Sequence, residues 1–167
     1  MAALLGNSLV AQLRHNLLES NIITRGAFEN GAGLMDNGAG VIRVLLVDDV
    51  ESVRQSLRSI LATYPNFEVV GEACDGEEAV LAVHQLRPSV IVMDINMPRL
   101  NGIKATARIK RTFPHVIIVG LSVYATEDTR QLMTAAGATT VISKEAAVEQ
   151  LRDEILESVN RRSTAFH

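Results

Sequence analysis

VIRVLLVDD, residues 41–49, is the stretch whose reading decides the fold. Interrupted only by Arg43, the run Val41–Val47 reads as a strand. Its near-continuous Val, Ile and Leu content suits a strand covered on both faces. Two carboxylates, Asp48 and Asp49, follow where the apolar run stops. The same alternation recurs downstream. Val53, Leu57, Ile60 and Leu61 mark one face of a helix, and Phe67–Ala73 (FEVVGEA) reads as a second strand before a helix over Gly76–Leu86. Ser89–Met93 (SVIVM) predicts a third strand, with a helix from about Ile103 to Arg111. A fourth strand at Val116–Gly120 (VIIVG) precedes a helix over Glu127–Ala136, and Thr140–Ser143 forms a short fifth. Val148, Leu151, Ile155 and Val159 then line one face of a last helix. Strands alternating with helices in this way predict an α/β fold, a three-layer α/β/α sandwich around a mostly parallel sheet with right-handed crossovers.

Composition bounds the function. The 167 residues are 47% hydrophobic, 21% charged and 4% aromatic, as expected of a globular chain with room for one domain and a modest extension. A formal charge of −3 supplies no global basic surface for nucleic acid. The single cysteine, Cys74, excludes an internal disulfide framework and suits a reducing cytoplasm. The opening MAALLGNSLVAQLRH lacks a basic leader, and no stretch approaches the roughly 18 apolar residues of a membrane span. A cytoplasmic location without membrane insertion is expected.

Glycine divides the chain. Six of the eleven glycines fall in residues 1–40, five of them between Gly26 and Gly40. Residues 21–40 therefore read as a glycine-rich linker, with DNGAG (36–40) as part of it. Before it, Leu5, Leu9, Leu13 and Leu17 recur every fourth residue, predicting an amphipathic helical arm over 1–20. The main domain is expected over 41–160 and a disordered tail over 161–167.

In an open parallel sheet, ligands bind beyond the carboxyl ends of the strands, where the strand order reverses. Asp48 and Asp49 follow the first strand, Asp94 the third, Ser122 the fourth and Lys144 the fifth. Three carboxylates, a hydroxyl and an ammonium would thus meet at one edge. Crowded carboxylates repel, and a hard divalent cation such as Mg²⁺ relieves the repulsion through oxygen ligands. A carboxylate beside such a cation can attack phosphorus and form an aspartyl-phosphate, while Lys144 and Ser122 hold the phosphoryl oxygens.

VLLVDD (44–49), VIVMDINMPRLNG (90–102), GLS (120–122) and ISK (142–144) together resemble the signatures of receiver domains of two-component response regulators, in order and each at a strand end. The likeness is greatest to receivers of two-domain transcription-factor regulators. It implies a flavodoxin-like sheet of order 2-1-3-4-5, with Asp94 as phosphoacceptor for a sensor histidine kinase. It implies Mg²⁺ held by Asp49, Asp94 and the backbone carbonyl of Asn96, with Asp48 acting partly through water. It also implies a sensing pair, Ser122 and Lys144, and a loop shaped by Met97, Pro98 and Gly102. The output is expected on the last two helices and the fifth strand, toward a protein target or an output domain, with homodimerisation on phosphorylation through that surface or the Leu5–Leu17 stripe. Only seven residues follow Asn160, too few for a DNA-binding module, so a stand-alone receiver and a piece of a longer chain both stay open.

Two departures stand out. Members usually carry an aromatic three residues before the lysine, where this chain has Val141; Tyr124 is a candidate substitute. Glu145 stands where a proline often follows the lysine, so no cis bond is expected there. Other readings are weaker. Asp48–Asp49 taken alone would be a helix cap or turn, and Cys74, His84 and His115 read as ordinary strand-end, surface or loop residues. His15 lacks the surroundings of a kinase phosphoacceptor. A haloacid-dehalogenase-type phosphatase would need an acid at Asn96, so no turnover of external substrates is expected and the chain is read as a switch rather than an enzyme. A pseudo-receiver that keeps the fold without the chemistry is the alternative.

Overall fold

Five parallel strands form the single sheet of the computed structural model, which describes residues 40–164. They are β1 (Ile42–Val47), β2 (Phe67–Ala73), β3 (Val90–Asp94), β4 (Ile117–Ser122) and β5 (Thr140–Ser143), in the order β2-β1-β3-β4-β5. The helices are α1 (Glu51–Ala62), α2 (Gly76–Leu86), α3 (Gly102–Thr112), α4 (Glu127–Ala136) and α5 (Ala147–Thr164). The expected sandwich and strand order are therefore those of the molecule. The expected helical arm, His15 and nearly all of the glycine-rich segment lie outside the described residues.

Period-two geometry sorts the strand side chains into two cores. Ile42, Val44, Leu46, Val90, Val92, Val119 and Leu121 face one way, against Val53 and Leu57 of α1 and Leu151 and Ile155 of α5. Leu45, Val47, Ile91, Met93 and Ile118 face the other, against Ala79 and Val83 of α2, Ile109 of α3 and Met133 of α4. Strands buried on both faces explain why the apolar runs read continuously rather than alternately.

Two expected boundaries shift, with consequences for the site. β3 and β4 each reach further than their apolar runs, so Asp94 and Ser122 are the last residues of strands. Backbone pairing of Asp94 with Leu121 and of Ser122 with Ser143 carries the ladder past the hydrophobic stretch. At the other end, α5 runs four residues beyond the expected limit at Asn160, so Arg161–Thr164 are helical rather than part of a tail. Arg161 and Arg162 suit the negative end of the helix dipole, and the Arg162 guanidinium donates to the carbonyl of His115. Among the described residues, no helix is long and apolar enough to cross a membrane.

Gly102 begins α3 against the end of β3. Its amide donates to the Ile95 carbonyl at 3.0 Å, and a Cβ there would lie 2.1 Å from the backbone oxygen of Asp94. Both neighbours are backbone and cannot move aside. Gly102→Ala is expected to lose roughly 2–3 kcal/mol of stability in urea denaturation, whereas Gly40→Ala, with nothing within 4 Å, stays within about 0.5 kcal/mol of wild type.

Candidate functional site

The chain leaves β1 toward β2 on one side and returns to β3 on the other, so the crevice lies where β1 and β3 end together. Asp48 is fixed there largely by backbone bonds. Its amide donates to Ala73 at 3.1 Å, and its Oδ1 accepts from the Val50 amide at 2.9 Å. Arg54, from α1, donates to the Asp48 carbonyl at 2.7 Å and to Glu72 of β2 at 2.9 Å. Asp94 is held by the ladder, with the next amide, Ile95, donating to Leu121 at 3.0 Å. Lys144 is placed by its own amide, which donates to the Ser122 carbonyl at 2.8 Å.

These anchors bring the side chains together. The Lys144 ammonium stands 2.6 Å from Oδ2 of Asp48 and 3.2 Å from Oδ1 of Asp94. Asp48 and Asp94 are buried, as is most of Lys144, while Asp49 is exposed at the mouth. Oxygens of Asp48, Asp49 and Asp94 all lie within 4.8 Å of one another.

Two buried carboxylates share one cation, and the balance is visible in their acidities. Burial, followed by repulsion from Asp48, pushes the Asp94 carboxyl up to about 7 against the pull of Lys144 and the Asn96 amide. Burial also raises Asp48, despite Lys144 beside it. For Lys144, burial opposes the charged form, but attraction to Asp48 and Asp94 outweighs it and the net shift is upward. Beyond the Lys144 ammonium and the Asn96 amide, Oδ2 of Asp48 and the oxygens of Asp94 have no aligned hydrogen bond among the described residues. Unmatched buried carboxylate oxygens are costly. A hard divalent cation at the mouth would satisfy them, and an all-oxygen donor set of three carboxylates fits Mg²⁺.

The remaining expected residues are placed less uniformly. Ser122 is buried at the end of β4, but its hydroxyl donates to the Tyr124 carbonyl at 2.9 Å rather than facing Asp94. Asn96 is exposed, two residues beyond Asp94. Val141 is buried in the core beside Gly120 and Met133, and Tyr124 is 67% exposed. Arg130 of α4 crosses between them, donating to the carbonyls of Ala125 and Val141. Neither Arg54 nor Arg130 was expected, because arginines on amphipathic helices read as solvated until their backbone acceptors are known. Cys74 follows β2, His84 is exposed on α2 and His115 is exposed before β4.

The sequence matches the model of the response regulator receiver domain over residues 44–156, and the chain belongs to that family. Among curated relatives, it is 45% identical over 106 residues to a protein-glutamate methylesterase/protein-glutamine glutaminase of Geobacter metallireducens, covering 62% of this chain and 30% of that protein. It is 36% identical over 114 residues to the transcriptional regulatory protein DegU of Brevibacillus brevis, covering 68% and 48%. The chain thus spans only about a third to a half of these relatives. The solved response regulator domain of Thermotoga maritima CheB superposes with a TM-score of 0.64 at 36% identity, covering 72% of this chain and 95% of that one. The Borrelia burgdorferi CheX–CheY complex with BeF3 and Mg²⁺ gives 0.61 at 27% identity, covering 71% and 86%.

The displaced acidity of Asp94 has a definite sign in stability. Between about pH 4 and pH 7 the folded protein keeps the Asp94 proton that the unfolded chain releases. The native state therefore binds more protons, and stability falls as pH rises through this window. In metal-free buffer, Asp94→Asn should be more stable than wild type by on the order of 3 kcal/mol near pH 8. The difference should shrink toward zero near pH 4. Urea denaturation of both proteins across this range checks it, and parallel pH profiles would contradict it.

Proposed function

We propose that the chain is a cytoplasmic switch that accepts a phosphoryl group on Asp94 from a phosphohistidine of a sensor kinase. The observation that carries this reading is the pair of buried, incompletely satisfied carboxylates sharing Lys144, with Asp49 at the mouth. In this reading Mg²⁺ is held by Asp49, Asp94 and the Asn96 carbonyl, with Asp48 partly through water. When bound, the metal supplies charge compensation for the phosphoryl oxygens.

The chain's own residues do the rest. An oxygen of Asp94 forms the new P–O bond as the donor's P–N bond breaks, and the departing imidazole takes a proton from solvent. Backbone bonds around Asp48 and Asp94 hold the carboxylates so that little reorganisation is needed. Lys144, now shared by two carboxylates, turns part of its charge to a phosphoryl oxygen. Ser122 leaves the Tyr124 carbonyl and donates to another phosphoryl oxygen, which obliges the Val123–Ala125 segment to move. Val141 is too small and too well packed to swing as an aromatic would. The altered surface is proposed to engage a protein target, an output domain or a second copy of the chain.

The relative solved with BeF3 and Mg²⁺ supports this reading. Against a scaffold without chemistry stands the cost of keeping Asp48 and Asp94 buried together. Incubation with acetyl phosphate and Mg²⁺ is expected to add one phosphoryl mass to the wild type and none to Asp94→Asn. Omission of Mg²⁺ should abolish the gain. No gain by the wild type, together with failure to bind beryllofluoride, would leave the pseudo-receiver reading in its place.

A further inference from the structure

Arg99 lies in the loop between β3 and α3 with φ +61°, a left-handed conformation that L side chains rarely adopt. Something must hold it there. Its guanidinium donates to Oδ2 of Asp75 and reaches Sγ of Cys74 at 3.6 Å. The other oxygen of Asp75 caps α2, accepting from the amides of Glu77 at 2.7 Å and Glu78 at 2.9 Å. Asp75 is 1% exposed, and Arg99 is its ion-pair partner among the described residues. The Arg99 side chain is 58% exposed, but a carboxylate buried to this degree favours a nearby cation.

A backbone contact runs beside the ion pair. The Gly76 amide donates to the Leu100 carbonyl at 3.0 Å, and a Cβ on Gly76 would lie 2.4 Å from that oxygen. The loop is thus fastened at its far end to the start of α2, and it is closed on itself where the Gly102 amide meets the Ile95 carbonyl. The placement of these fastenings matters. β1 lies between β2 and β3 in the sheet, so a bridge from the turn after β2 to the loop after β3 spans the end of β1, where Asp48 and Asp49 stand.

We infer that Arg99 is a positioning residue: through Asp75 it sets the loop that follows Asp94, and so the separation of Asp94 and Asn96 from Asp49 on which divalent-cation affinity depends. The inference rests on the proposed function, because it concerns the same metal site. Charge and positioning predict opposite signs here. Removing a nearby positive charge should by itself tighten cation binding, whereas releasing the loop should weaken it.

The test uses the full chain, unphosphorylated, with Arg99→Ala, Arg99→Lys and Asp75→Asn. The last keeps an oxygen to cap α2 and guards against a variant that fails to fold. Mg²⁺ affinity is read by calorimetry, and amide hydrogen exchange is read without metal. Arg99→Ala and Asp75→Asn should each weaken Mg²⁺ binding by roughly tenfold, and no further when combined. Arg99→Lys should fall between them and wild type. Exchange at Gly76 and Gly102 should quicken roughly tenfold while Leu46 and Val92 stay protected. Unchanged or tighter Mg²⁺ binding in folded Arg99→Ala would overturn the inference. So would weaker binding with unaltered exchange at Gly76 and Gly102, since the loop would then not have been released. Failure of the wild type itself to bind Mg²⁺ would overturn this inference and the proposed metal site together, and the wild-type titration alone reveals that case.

Discussion

One ammonium between two buried carboxylates organises this molecule. Lys144 meets Asp48 and Asp94 at 2.6 and 3.2 Å, and the three side chains come from the ends of β5, β1 and β3. Burial would drive each group toward its neutral form; mutual attraction overcomes that drive at Lys144 but not at Asp48 or Asp94, whose carboxyls stay raised, Asp94 to about 7. The site is therefore held together with charge left over. Surplus negative charge at a crevice mouth is an arrangement that a divalent cation relieves, and the cation can then offset the charge that a phosphoryl group brings.

The scaffold's part is to prevent the carboxylates from moving apart. Asp48 is clamped through its amide, its side chain and its carbonyl, and Asp94 stays inside the strand ladder. Flexible carboxylates would swing outward to water and lose the tension on which the chemistry rests. By contrast, the segment after β4 is exposed, although the Arg130 guanidinium donates to its Ala125 carbonyl. Its serine hydroxyl is engaged with a neighbouring carbonyl, and Val123 and Tyr124 are exposed. In the proposed switch the acidic floor stays fixed and this wall moves.

Much of this was legible in the sequence because each element announced itself locally. Apolar runs marked all five strands, and Asp48, Asp94 and Lys144 stood out as charges where such runs ended. Strands β3 and β4 end one and two residues beyond their apolar runs, at Asp94 and Ser122, since backbone pairing rather than hydrophobicity ends those strands. The direction of the Ser122 hydroxyl was illegible for a similar reason, as it depends on a carbonyl two residues away. Arg99 and Asp75 are twenty-four positions apart and belong to different turns, so no periodicity links them. Arg54 and Arg130 looked like solvated helix charges until their backbone acceptors were known.

In the proposed switch, phosphoryl transfer occurs at one carboxylate, Asp94, among three neighbours. Borohydride reduction of the phosphorylated protein converts an acyl phosphate to the corresponding alcohol, and peptide mass mapping then locates it. Homoserine is expected at position 94, with unaltered aspartates at 48 and 49. Reduction at Asp48 or Asp49 instead, or a phosphoryl group that resists borohydride, would contradict it.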